Sequence, residues 1–155
     1  IIEYLLFEKG LNLLNLPKGL IKFHSYDDKA RTAFEEHLVE SVNYVCDSNK
    51  RANLHFTVSP EHLKSISDHI KNVLNHYETG GVKISVEYST QKKSTDTIAL
   101  DKNNDLVKDI EGKILFRPSG HGALLENLNL LDADIIFIKS VKGGGKNGKK
   151  KGHQI

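Results

Sequence analysis

The sequence predicts an α/β domain with a mainly parallel sheet and helices on both faces, and three observations carry that expectation. Segments with a two-residue apolar period alternate along the chain with segments of helical period. Helix-start signals follow directly behind strand ends, and Gly or Pro separates the pieces. Parallel strands need a crossover between them, so strands alternating with helices point to a wound sheet.

The elements follow in order. After the Pro17-Lys18-Gly19 turn, Leu20 to His24 reads as a short strand. Thr32-Ala33-Phe34-Glu35 fits a capping box, in which the Thr hydroxyl and the Glu carboxylate satisfy free amides at a helix start. Behind it Phe34, Leu38, Val42 and Val45 share one helical face. Leu54, Phe56 and Val58 alternate with His55 and Thr57, as in a half-buried strand. Ser59-Pro60-Glu61 supplies an N-cap, a proline at the first helical position and an early acid. Leu63, Ile66, Ile70, Val73 and Leu74 continue an amphipathic helix that Gly80-Gly81 stops.

Val82, Ile84, Val86 and Tyr88 alternate as the next strand. Short apolar pieces follow at Ile98 to Leu100 and Ile114 to Phe116, with the polar turn "DKNND" between them. Gly120 to Gly122 opens a helix with Leu124, Leu125, Leu128 and Leu131, and Asp134 leads into a strand over Ile135 to Ile138. No internal repeat is evident. Ligands of such sheets sit beyond the carboxyl ends of the strands. That edge should gather the loop after Val58, the segment Ser89 to Thr97 and the chain after Ile138, with the Gly-His-Gly loop joining them.

The 155 residues suit one domain with a real core, placed at residues 1–141, and a Gly/Lys-rich disordered tail at 142–155. Lys139 to Ile155 holds six lysines and no acid; the rest keeps 16 basic residues against 20 acidic, about −4. The apolar runs are strand-sized, no signal-peptide pattern opens the chain, and Cys46 stands alone. A lone cysteine excludes an internal disulfide, so a cytoplasmic setting is the expectation. The absence of methionine, even at position 1, implies a fragment of a longer chain.

Gly120-His121-Gly122 is the most informative triplet. Glycine lets a backbone approach a ligand closely, and a helix start offers free amides to a nucleotide or phosphate. A tight turn with an exposed histidine is the commoner origin of such a pattern. Lys18 sits on a stiff turn from which it could reach a phosphate, although turn lysines are usually just solvated. Gln91, just past a strand end, carries an amide that can both donate to and accept from a base edge. Ser94 to Thr97 fits a turn better than an anion site. His62 and His69 read as ordinary surface residues, Cys46 as a small buried side chain. No metal motif, nucleophile elbow or P-loop occurs. The lysine-rich tail lacks aromatic residues to stack on bases, which makes nucleic acid a poor partner.

Taken in order, "NLPKGLIKFH", "ARTAFEEHL", "NLHFTVSPEH", "STDTIALD" and "FRPSGHGALLENLNLLDADIIFIK" resemble the domain-of-unknown-function 4301 family of bacterial hypothetical proteins, over residues 5–141. That family is in turn distantly similar to the UDP-sugar pyrophosphorylases, nucleotidyltransferases with a Rossmann-like GT-A fold. Pro17-Lys18-Gly19 resembles their PKG motif, Gln91 their base-contacting glutamine, and Pro118 to Gly122 their PxGHG loop. The resemblance implies a chemistry in which NTP and a sugar 1-phosphate give NDP-sugar and pyrophosphate, with Mg²⁺ as the cofactor. It assigns phosphate neutralisation to catalytic Lys18 and nucleotide binding to Gln91, Gly120, His121 and Gly122.

Two departures bear on activity. The Gly-rich Arg loop that should precede PKG is missing, and Lys142 stands where the enzymes carry a metal-holding Asp. Lysine cannot ligate Mg²⁺. The expectation is therefore a nucleotide- or sugar-nucleotide-binding fragment that is inactive by itself and binds no metal. A non-catalytic α/β interaction domain is the alternative, with self-association through an unpaired sheet edge.

Overall fold

The structure is a computed structural model that describes residues 1–27 and 29–139. The chain divides into two compact units. One comprises Ile1–Asn53, Ser65–Ser85 and the described chain from Phe137; the other comprises Leu54–Lys64 and Val86–Ile136. No described helix is long and apolar enough to cross a membrane.

In the first unit, α1 (Ile2–Leu6) and a 3₁₀ turn over Lys18–Leu20 precede a two-residue antiparallel pair, β1 (His24–Ser25) with β2 (Ala30–Arg31). The longer strand expected over Leu20 to His24 does not form. The amides of Leu20 and Ile21 are used inside the turn, on the carbonyls of Pro17 and Lys18, and are lost to any ladder. Helix α2 (Ala33–Tyr44) opens with the expected capping box: Glu35 N–H donates to Thr32 Oγ1 at 3.2 Å, and Thr32 N–H donates to Glu35 Oε2 at 2.7 Å. Helix α3 (Leu63–Tyr77) follows a short 3₁₀ turn headed by Pro60, and Gly80 and Gly81 end the segment with φ of 62° and 82°. Only glycine enters that region without strain.

The buried apolar residues of this unit include Phe34 and Leu38 of α2, Ile66, Ile70 and Tyr77 of α3, and Ala52, Val82 and Ile84. Gly19 is part of the same packing. A Cβ there would stand 2.6 Å from the Phe34 ring, so the glycine of the Pro-Lys-Gly turn is required by the core.

Strands β3 (Arg51–Val58) and β4 (Lys83–Thr90) form the parallel pair around α3. Lys83 N–H donates to Lys50 O at the start, and His55 and Thr57 both meet Ser89 further along, which fixes the common direction. The other two sheets are antiparallel and small. The fold is mixed α/β, with sheets of two strands where one wound parallel sheet was expected.

The second unit holds β5 (Thr97–Ile98) and β6 (Phe116–Arg117), paired antiparallel, with bridges Leu100–Leu106 and Lys108–Ile114 between them. Asp101 and Asp109, eight residues apart, each accept two backbone N–H bonds on Oδ1, from the residues two and four positions on. The residue three positions on is left-handed in both, Asn104 at φ 66° and Gly112 at 80°. Asp47, in the first unit, builds the same turn with Lys50 at φ 60°. An aspartate that caps its own turn and tolerates a left-handed neighbour is a known turn device.

Two further expectations change. The helix after Gly122 is a 3₁₀ turn, His121–Leu124, followed by the single turn of α4 (Leu125–Leu128). Leu130 and Leu131 then bond carbonyls three residues back, which tightens and ends it. Ile135 to Ile138 is no strand. These residues have no ladder partner among the described residues and all four are exposed. An apolar run becomes a strand only where a neighbour supplies the other half of the hydrogen bonds.

Candidate functional site

The strand period places Glu87, Ser89 and Gln91 on one side of the β4 line, and His55 and Thr57 on the matching side of β3. Ser89 Oγ lies 2.8 Å from His55 Nε2 and 3.1 Å from Thr57 Oγ1. Buried Asn127, on α4, donates Nδ2 to Ser89 Oγ at 2.8 Å and to the Thr90 carbonyl at 3.0 Å. A carbonyl can only accept, so the Asn127 amide nitrogen must face Thr90 and its orientation is fixed.

Ser89, His55 and Glu87 stand in the order of a nucleophile, a base and an orienting acid, but the geometry is not that of a working triad. Three polar partners and its own Cβ fill the coordination of the Ser89 oxygen, leaving no lone pair toward a substrate. Glu87 is 75% exposed and stays 3.8 Å from His55 Nδ1, too far for a hydrogen bond. Ser89 ties the two strands to α4.

The cluster is incomplete in another way. His55 Nδ1, Asn127 Oδ1 and Gln91 Nε2 are all buried and have no hydrogen-bond partner. Buried polar atoms are nearly always paired, by protein, water or ligand, so three orphans in one unit require an explanation.

The residues singled out by sequence fall into two places. Gln91 follows β4 directly, and the Gly120-His121-Gly122 turn leads into the helix that carries Asn127. Asn127 on Thr90 O, with a Lys92–Glu126 ion pair of 3.0 Å, therefore brings the Gln91 segment and the glycine loop's helix together. His121 is exposed and makes no side-chain hydrogen bond among the described residues. Gly120 and Gly122 have open space where a Cβ would stand, and Gly120 has an ordinary φ of −73°. Nothing within the chain demands glycine there, unlike Gly19. Lys18 is exposed in the other unit and has no side-chain partner among the described residues. Position 142 lies outside the described residues, as does the tail. Ser94 to Thr97 forms a turn closed by Thr95 Oγ1 on Lys92 O, and Cys46 is half-buried beside Asp47.

Sequence reasoning missed His55, Ser89 and Asn127, whose roles arise from pairing across strands. It also misjudged His69. In the first unit Thr32 Oγ1 accepts from Glu35 N–H and lies 3.1 Å from His69 Nε2, while Tyr77 OH donates to Glu35 Oε1 at 2.9 Å. Burial lowers the His69 pKa, outweighing the upward pull of Glu35 at 3.8 Å. Burial would raise the Glu35 carboxyl, but bonds from Thr32 and Tyr77 hold it below its ordinary value. Burial and the bond to Glu35 push the Tyr77 phenol up to about 12. This cluster has a partner for every group it buries.

Among the described residues no group of three His, Cys, Asp or Glu side chains could hold a metal ion. A family model described as "Domain of unknown function (DUF4301)" matches residues 1–144. No curated protein and no solved structure matches the chain.

Proposed function

The chain belongs to the family of domain of unknown function DUF4301, and from that premise we propose that it binds a nucleotide at the end of β4. One observation carries this reading. Gln91 Nε2 is a buried amide donor with no partner, and Asn127 ties the same strand end to the helix behind Gly120-His121-Gly122. A nucleobase lying along a backbone free of side chains, with its edge toward Gln91, would meet that donor.

The reading follows nucleotidyltransferase ancestry with a Rossmann-like GT-A scaffold. The parent reaction joins NTP and a sugar 1-phosphate by in-line attack on the α-phosphorus, a chemistry of positioning and charge. In this chain only binding remains. Titrating ¹⁵N-labelled protein with UMP tests it: saturable amide shifts centred on Gln91 and Gly120 to Gly122 are expected. Shifts scattered over other surfaces, or none at millimolar UMP, would reject the site.

A second reading has its own support. Ile98, Leu100, Leu106, Leu115 and Phe116 of the meander are exposed, and β3 and β4 have no third strand among the described residues. Apolar side chains in one segment and open strand edges favour an interaction domain, with self-association as its simplest form. Sedimentation over a hundredfold concentration range decides this. A constant monomer mass would remove the self-association form.

A further inference from the structure

The first unit contains a concave site, unrelated to Gln91. A cavity of about 380 Å³ lies between the β2 region, α2 and the end of α3. Its apolar wall is Val39 and Val42, one α2 stripe, and the Tyr77 ring adds an aromatic side. Lys29, Arg31 and His76 supply the polar groups.

The charges there are unevenly matched. Lys29 Nζ donates to His76 Nε2 at 3.0 Å and lies 5.8 Å from the centre of the Tyr77 ring, with no carboxylate on it among the described residues. Arg31 gives Nη1 to Glu36 at 3.4 Å, while its Nε is buried and unpaired. The guanidinium stacks on Tyr26, 4.4 Å from that ring centre. The nearby carboxylates are already engaged, Glu36 by Arg31 and Tyr26 OH, and Glu35 by Tyr77 OH and Thr32.

We propose that this cavity binds a small organic anion, a phosphate monoester or carboxylate with an apolar or ring-shaped body. The anion sits between Lys29 and Arg31, and the body lies against Val39, Val42 and Tyr77. An ammonium that carries no carboxylate among the described residues, beside a stacked guanidinium, favours an anion. The apolar wall favours a body attached to it, and the volume lies within the range of small-molecule pockets.

The test is an NMR titration of the full chain with phenyl phosphate, alongside inorganic phosphate and phenol. Saturable shifts at the Lys29, Arg31 and His76 amides are expected, with phenyl phosphate binding about tenfold tighter than inorganic phosphate, a difference of about 1.4 kcal/mol. Lys29→Gln should weaken phenyl phosphate about tenfold. Arg31→Lys, which keeps the charge but loses the fork, should weaken it severalfold while the amide spectrum stays dispersed. Phenol binding as tightly as phenyl phosphate would overturn the anion site, and equal affinity for the two phosphates would overturn the ligand class. Affinity unchanged by both variants, or an absence of saturable shifts, would overturn the proposal itself. UMP shifts at Gln91 do not bear on it, because the two sets of residues are disjoint.

Discussion

Two buried polar clusters, one in each unit, differ in a way that separates scaffold from site. Around Glu35, the capping amide, the Thr32 hydroxyl, the Tyr77 phenol and the His69 ring form a chain of donors and acceptors without a gap. Around Ser89, the bonds are as short, yet three buried atoms on His55, Asn127 and Gln91 remain unpaired. A closed cluster rigidifies the core it sits in. An open one carries a standing cost that a ligand can remove, and this is the physical basis for assigning binding to the second unit.

If that contrast is sound, breaking the closed cluster should cost most. Glu35→Ala strands the Thr32 amide and the Tyr77 hydroxyl in the core, and at about 1–3 kcal/mol per unmet donor the expected loss is about 3 kcal/mol. Urea unfolding measures it, and a loss under about 1 kcal/mol would mean the cluster is not structural. Asn127→Ala in the open cluster should cost about 1 kcal/mol. Ser89 keeps two partners, while the Thr90 carbonyl loses one donor.

Acid sharpens the same comparison. The folded-state pKa values of His69 and Glu35 are both lowered, from 6.5 and 4.5. As the pH falls through each ordinary value, the unfolded chain takes up a proton that the folded one refuses, so stability declines with acidification. Unfolding midpoints should fall below about pH 6.5 from His69 and fall again below about pH 4.5 from Glu35. His69→Gln should flatten the first step alone. The smallest effect is expected at Gln91→Ala: the amide nitrogen is already unpaired, so stability should move by less than about 0.5 kcal/mol.

Local signals were legible in the sequence and pairings were not. Thr32 to Glu35, Ser59-Pro60 and Gly80-Gly81 act within a few residues of themselves, and each ends or starts an element where its chemistry dictates. The Asp-led turn at 101 was legible as the polar stretch "DKNND", while those at 47 and 109 went unread, their left-handed positions holding residues as unlike as Lys50 and Gly112. Leu20 to His24 and Ile135 to Ile138 have strand composition, yet a strand needs a neighbour, and neither segment has one over its length. Of the site, Gln91 and the Gly120 loop were visible as types placed after a strand and before a helix. Ser89, His55 and Asn127 were not, since only the register of β3 on β4 makes them meet. Gly19 stood out as a motif residue, and its tight contact with Phe34 gives it a packing role besides.

The most direct test of the central claim is calorimetric titration of UMP into the wild-type chain and into Gln91→Ala. Saturable binding that weakens about tenfold or more in the variant, while its unfolding midpoint stays put, is the predicted result. Equal affinity in the two proteins would contradict the claim that the unpaired amide marks the nucleotide site.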